Sequence, residues 1–383
     1  MKKKYIIFSI VTLVLLVALI TSFNYFKTTN TYIDDSFNNQ TKITKGISMN
    51  LEQTAGAGDY KTVTRSSWPT EGYNFNAELS RCENGSTLSW DDTKKAVIVS
   101  GNLSDKCYVY FDLARFDETC DGSTLACRIA KQYTGTQGEN SLYYHDSTLT
   151  NGAGDNSYRY AGASNNVNNY ICLGSDATTC PDANLFRIIG VFGDQTKVIR
   201  AKSVGDKEWD TNDSNTWSTS SLNTYLNGEY LTSLGTLADK IATTTWKVEV
   251  AGARNDIYLN DVPKIAYQYE VGSSASTTTY DAKIGLMYVS DYGFAADQSG
   301  WTTKLSSYNS NKSKNWLNTG KYIEWTLSRN SDNTDNAFGV ISTGYVDNYN
   351  VTKSYVVRPS FNLESSVKYV SGSGSMSGPV RVN

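Results

Sequence analysis

The sequence predicts a mainly β protein with short helices, an α+β chain in which a small all-β module precedes a larger domain. Three observations carry this. The 383 residues include 27 tyrosines and 29 glycines against 5 prolines and a single histidine, and Asn, Ser and Thr are abundant. That usage suits strands, turns and polar loops rather than long helices. Apolar runs of strand length recur between turn residues. Helical periodicity surfaces only in short stretches, and the length allows about two domains.

The chain opens Met-Lys-Lys-Lys, and residues 5–23 are uncharged and apolar. That is close to the ~20 residues a helix needs to cross the hydrocarbon core. Residues 1–26 are therefore read as a transmembrane signal-anchor, with the lysines cytoplasmic and the body outside. The competing reading is a cleaved signal peptide, whose apolar core is about 7–15 residues and ends at a small-x-small site. Ile20-Thr21-Ser22 fits such a site poorly. Both readings export the remainder, so the expected location is the cell membrane, single-pass, with an extracellular body. Residues 27–45 are polar without an apolar period and read as a stalk. The net charge is −3, three units more negative without the leading lysines, which argues against a nucleic-acid partner.

Residues 46–113 read as a small all-β (Ig-like) module. Ala96-Val97-Ile98-Val99 is an apolar strand. In Cys107-Tyr108-Val109-Tyr110-Phe111 the odd-numbered residues share one face. Glu83-Asn84-Gly85-Ser86 holds an Asn-Gly dipeptide of the kind hairpins use. Residues 114–383 form the larger domain, entered through a connector at 114–133 with local helical character from Thr124 to Ala130. Residues 185–192 and 197–201 predict a hairpin about Gly193-Asp194. Ser218-Thr219-Ser220 predicts an N-cap for a helix with Leu222, Tyr225 and Leu226 as its stripe, and Leu234, Leu237 and Ile241 repeat that logic. Strands follow at 283–289, 323–327, 338–342 and 355–357, and a last hairpin pairs 367–370 with 380–382.

Six cysteines suit an oxidising exterior. They permit many pairings, and proximity favours Cys82 with Cys107, Cys120 with Cys127, and Cys172 with Cys180. A zinc site is the weaker reading, since no Cys-x-x-Cys pair occurs.

Six segments taken together resemble a known group. They are Asn169-Tyr170-Ile171-Cys172, residues 185–192, Trp217 through Leu222 and Tyr225-Leu226-Asn227, Ile284-Gly285-Leu286-Met287, Trp325-Thr326-Leu327-Ser328, and Val357-Arg358-Pro359-Ser360-Phe361-Asn362-Leu363. Their order resembles membrane-anchored surface proteins of low-GC Gram-positive, often gut-dwelling, bacteria. The likeness covers roughly residues 130 to 383. It implies a C-type-lectin-like fold, in the branch that also holds formylglycine-generating enzymes, and an outward-facing location. The lectin calcium loop (Glu-Pro-Asn or Gln-Pro-Asp) and the Trp-Asn-Asp strand are missing; Trp209-Asp210 is the nearest echo. No cysteine follows Cys180, so the formylglycine chemistry has no reactive pair.

The residues themselves mark no catalytic site. His145, in Tyr143-Tyr144-His145-Asp146, would have to serve any Ser-His-Asp or Cys-His arrangement, yet no Gly-x-Ser-x-Gly elbow accompanies it. It reads as a loop residue with a local hydrogen bond. No pair of carboxylates stands out for glycoside hydrolysis. No cofactor is expected. Calcium is the one alternative, through Asp210, Asn212 and Asp213 or Asp332, Asn333 and Asp335, although neither trio has calcium-loop spacing. Trp301, in the loop Asp297-Gln298-Ser299-Gly300-Trp301, is expected exposed and suited to stacking on a sugar. Trp209 and Arg358 complete the ligand-binding candidates. Arg358 is read first as half of a buried ion pair with Glu324. Trp217, Trp246, Trp316 and Trp325 are read as core. The expectation is a surface-displayed binding or adhesion protein that recognises a glycan or protein through loops of its larger domain. The alternatives are a cell-envelope hydrolase using paired carboxylates and a structural envelope component.

Overall fold

The computed structural model describes residues 31–32, 46–64, 67–69, 71–101, 105–249 and 260–383. The anchor expected at 1–26 and nearly all of the stalk expected at 27–45 lie outside the described residues. Among the described residues no helix is long and apolar enough to cross a membrane. Strand makes up 32% and helix 20%, so the protein is mainly β with short helices. Two compact units meet in sequence between Arg115 and Phe116.

The smaller unit contains β1 (Thr31–Tyr32), β2 (Ile47–Glu52), β3 (Tyr60–Val63), β4 (Tyr73–Phe75), β5 (Arg81–Cys82), β6 (Thr87–Asp91), β7 (Ala96–Ser100) and β8 (Cys107–Leu113). They form two sheets, β1-β7-β6 and β3-β2-β8-β4, with β5 also on β8. Alternation in β8 works as expected: Cys107, Val109 and Phe111 are buried, while Tyr108 and Tyr110 are half-buried. Phe111 is the hub of the core, with Trp68, Phe75 and Trp90 around its ring. The Asn84-Gly85 turn does not close a hairpin. It carries the chain from β5 in one sheet to β6 in the other, held by the Asp105 carboxylate, which accepts from Asn84 N and Ser86 N.

The larger unit begins with α1 (Phe116–Thr119) and α2 (Leu125–Ala130). Thr124 caps α2 by accepting from Cys127 N at 3.2 Å. Leu125, Ala126, Ile129 and Ala130 are buried in the main core, so the segment read as a connector is part of the packed interior. Next come β9 (Leu142–Tyr144), β10 (Tyr158–Tyr160), β11 (Tyr170–Cys172), β12 (Leu185–Phe192) and β13 (Gln195–Arg200). The β12–β13 hairpin forms as predicted, with Gly193 at φ +61° in its turn. Gly190 is fixed by close approach: a Cβ there would stand 2.2 Å from Tyr158 O of β10.

After β14 (Asp206–Glu208), Ser220 caps α3 (Ser221–Tyr225) and buries Leu222. The second predicted helix is a 3-10 segment at Gly235–Lys240. Further along lie β15 (Thr244–Lys247), α4 (Pro263–Glu270), β16 (Thr279–Ala282), β17 (Ile284–Gly285) and α5 (Val289–Phe294). The strand expected over 283–289 is cut to two residues because Asp291 accepts the N–H of Tyr288 at 2.9 Å and starts a helix there. The closing elements are β18 (Ile323–Arg329), β19 (Asn336–Ile341), β20 (Val346–Asn350), β21 (Ser354–Val356), β22 (Ser360–Leu363), β23 (Tyr369–Ser371) and β24 (Val380–Val382). A nine-stranded sheet runs β17-β22-β13-β12-β11-β24-β23, with β10 on β12 and β9 on β10; a five-stranded sheet runs β14-β21-β18-β19-β20. The last hairpin joins the larger sheet through the parallel pair β11–β24.

The disulfides are Cys82–Cys107, Cys120–Cys127 and Cys172–Cys180. The first links directly opposed residues of β5 and β8, closing a separation of 25 residues. Replacing Cys82 and Cys107 together by alanine should cost the smaller unit about 2–4 kcal/mol. Limited proteolysis of the full chain should then cut within residues 46–113 while the larger unit persists; equal resistance in variant and parent would contradict this.

Candidate functional site

The larger unit holds a cleft of about 320 Å³ between the β12–β13 hairpin, β15, α4 and the start of α5. Its floor is charged. Arg159 of β10 donates through Nη2 to Asp155 Oδ2 at 2.5 Å and lies 3.5 Å through Nη1 from Asp291 Oδ1. Lys197 of β13 reaches Asp291 Oδ2 at 2.5 Å. The Arg159, Lys197 and Asp291 side chains are at most 7% exposed. Two anions therefore meet two cations, and the floor is neutral overall. Burial opposes ionisation of Asp155, but the Arg159 guanidinium, helped by Ser157, holds its carboxyl below the ordinary value.

Aromatic rings wall this floor. The ammonium of Lys197 sits 4.8 Å from the Tyr288 ring centroid, 5.5 Å from Trp246 and 5.6 Å from Phe192. The guanidinium of Arg159 lies 4.6 Å from Phe192 and 5.4 Å from Tyr267. Such contacts stabilise a cation by about 0.5–1 kcal/mol at an exposed site and by about 2 kcal/mol or more when it is desolvated. Tyr288 is fixed by its hydroxyl, which accepts from Lys247 N and donates to Lys247 O. The rim is polar: Thr244 and Asn362 bond to one another, and Thr245 is exposed.

Two titratable groups stand behind the cleft. Glu270 ends α4 and accepts from Val289 N and Ser290 N at 3.0 Å each, and from the Ser328 hydroxyl. Burial pushes its carboxyl up to about 7 despite these donors. His145 follows β9 and is fully buried against Phe294 and Trp301, 4.9 and 5.0 Å away. Its Nδ1 accepts from Ala153 N at 3.0 Å, which leaves the proton on Nε2, an atom without a hydrogen-bond partner. Burial, reinforced by Arg159, pushes the imidazole down to about 3. It is a neutral, buried residue of the loop after β9, with the local hydrogen bond expected of it.

A larger groove of about 720 Å³ runs beside the Cys172–Cys180 loop. No aromatic ring lines it, and its Arg381 is committed to the carbonyls of Ser175, Ala177 and Thr178.

The structure places the sequence-derived candidates elsewhere. Trp301 is not exposed. It is wholly buried with Tyr143, His145 and Phe294, and its Nε1 donates to Ala296 O. The 3-10 turn at Gln298–Gly300 folds its ring inward. Trp209 is also buried, packed on Trp217 and donating to Thr326 O. Arg358 is buried and donates through Nε to Glu324 Oε1 at 2.8 Å, the partner expected for it. None of the three lines the cleft. Of the calcium candidates, Asp210 already accepts from Asn212 N, Ser214 N and Ser221 N. Asp213 and Asp335 converge on the Asn350 amide, yet among the described residues no group of acidic, His or Cys side chains is placed to hold a metal. The cleft residues Asp155, Arg159, Lys197 and Asp291 were not singled out from sequence. The available signal was a cation inside each of two apolar strands, Arg159 between tyrosines and Lys197 before Val198-Ile199.

His145 and Glu270 give opposed contributions to stability. The histidine is neutral when folded but protonates when unfolded below its ordinary value of 6.5, so its contribution falls as pH drops from 6.5 toward 3. The carboxyl is protonated when folded up to about 7 but ionises when unfolded above 4.5, so its contribution falls as pH rises through that range. Between pH 4.5 and 6.5 the two slopes cancel. Chemical denaturation should show His145→Asn gaining stability as pH falls from 7 to 4.5 and Glu270→Gln losing it. Parallel profiles for the two variants would refute the assignment.

Compared with known protein families, curated proteins and solved structures, the chain matches none.

Proposed function

We propose that the protein is a binding protein displayed outside the cell from an N-terminal membrane helix, and that its cleft takes a small neutral polar group, such as one sugar residue of a glycan. The observation that carries the reading is the charge-balanced floor beneath aromatic walls. Arg159, Lys197, Asp155 and Asp291 offer directional donors and acceptors for hydroxyl groups with no net charge, and ring faces accept the apolar side of such a ligand. The three disulfides and the uncharged segment 5–23 behind three lysines support the exterior location. We retain the C-type-lectin-like reading of the larger unit and the Ig-like reading of the smaller, supported by the order of the motifs and by the two-sheet core.

Catalysis is less well supported. General acid–base work needs a carboxyl poised to give or take a proton. Asp155 and Asp291 are each tied to a cation, and Glu270 is enclosed by two amides and a hydroxyl.

The test is a glycan array probed with the full chain, with and without chelator. Binding is expected, and Thr245→Trp at the exposed rim should lower it at least tenfold with an unchanged melting temperature. Release of sugar products from a bound polysaccharide would replace this reading with a hydrolase.

A further inference from the structure

The outer face of the five-stranded sheet carries aromatic rings separate from those of the cleft. Tyr355 of β21 is their hub. Its ring centroid is 5.0 Å from Trp325 of β18, 5.4 Å from Tyr349 of β20 and 6.2 Å from Tyr322, the residue before β18. Tyr349 reaches the hub across Gly339 of β19, where a Cβ would lie 3.6 Å from its Cδ2. Trp325 is buried beneath, Tyr349 and Tyr355 are half-buried, and Tyr322 is 74% exposed.

The hydroxyls distinguish these rings from five buried core tyrosines. Those of Tyr158, Tyr160, Tyr288, Tyr292 and Tyr308 bond within the protein. Among the described residues, Tyr322, Tyr349 and Tyr355 make no such hydroxyl bond. Asp347 opposes Gly339 and shares the face with Tyr349. Lys207 opposes Tyr355. Its ammonium lies 3.7 Å from the Tyr225 ring centroid, and Lys321 and Lys353 are exposed beside Tyr322 and near Tyr355 in sequence.

We infer that this face is a carbohydrate-contact surface for a pyranose chain. A pyranose presents C–H groups on one face, which suit the electron-rich face of an aromatic ring, and hydroxyls around its edge, which suit the unpaired tyrosyl hydroxyls and Asp347. A purely apolar partner would leave those hydroxyls buried without bonds. The inference shares its ligand class with the function proposed above, but none of its residues line the cleft.

The experiment is affinity electrophoresis of the full chain through gels containing a soluble β-glucan, a mannan, a galactan or a xylan. The parent should be retarded by at least one. Tyr322→Ala, which removes a mostly exposed ring, should weaken that retardation about tenfold at an unchanged melting temperature, and should do so by the same factor when added to Thr245→Trp, which closes the cleft. Retardation by none of the four, or equal retardation of Tyr322→Ala and parent, overturns the inference. Loss of retardation in Thr245→Trp but not in Tyr322→Ala also overturns it, while leaving the cleft reading in place.

Discussion

Inside the larger unit, Asp155 and Asp291 face Arg159 and Lys197, and the elements that carry them cannot shift independently. Asp291 serves three neighbours at once: the Lys197 ammonium, the Arg159 guanidinium and the backbone N–H that opens α5. Through these, one helix end is tied to β13 in the middle of the nine-stranded sheet and to β10 at its branch. Removing one partner would leave a buried charge uncompensated, which typically costs about 3–5 kcal/mol. Position in the fold, rather than the gain from any one pair, makes this cluster the constraint on which the cleft depends.

The same logic recurs where loops are long and regular structure is short. Arg187 donates to Asn169, Ser164 and the carbonyl of Val167. Arg358 joins Glu324 to the carbonyl of Leu317. The Asn215 amide lies within 2.8 Å of the carbonyls of Asn330, Asn333 and Asn336. A buried carbonyl outside a sheet or helix needs a donor, and these side chains supply one. The abundance of asparagine is therefore partly an internal matter, which explains why Asx-rich segments resembling metal loops turn out to be folded around their own backbone.

Aromatic residues divide in a similar way. Trp209, Trp301 and Trp325 each bury the ring and donate from the indole nitrogen to a backbone carbonyl. Tryptophan is thus the filler of this loop-rich core. Among the described residues the large ring that stands exposed is a tyrosine, Tyr322, whose hydroxyl tolerates water.

Local patterns in the sequence sufficed for the mainly β class, the alternation of β8, the β12–β13 hairpin about Gly193, the cap at Ser220, and the pairing of neighbouring cysteines. Each depends on residues close along the chain. Glu324, beside Trp325 in a predicted strand, was also legible as a partner for Arg358. The cleft was not legible. Asp155 and Arg159 lie four residues apart, but Lys197 and Asp291 are separated by 94 residues, and no local period encodes that meeting. The exposure of Trp301 was misjudged for the same reason: a loop sequence states that the backbone turns, not which way the ring faces. Only tertiary packing decides whether a ring or a charge is surrounded by protein or by water, because burial is set by what distant strands and helices bring alongside it.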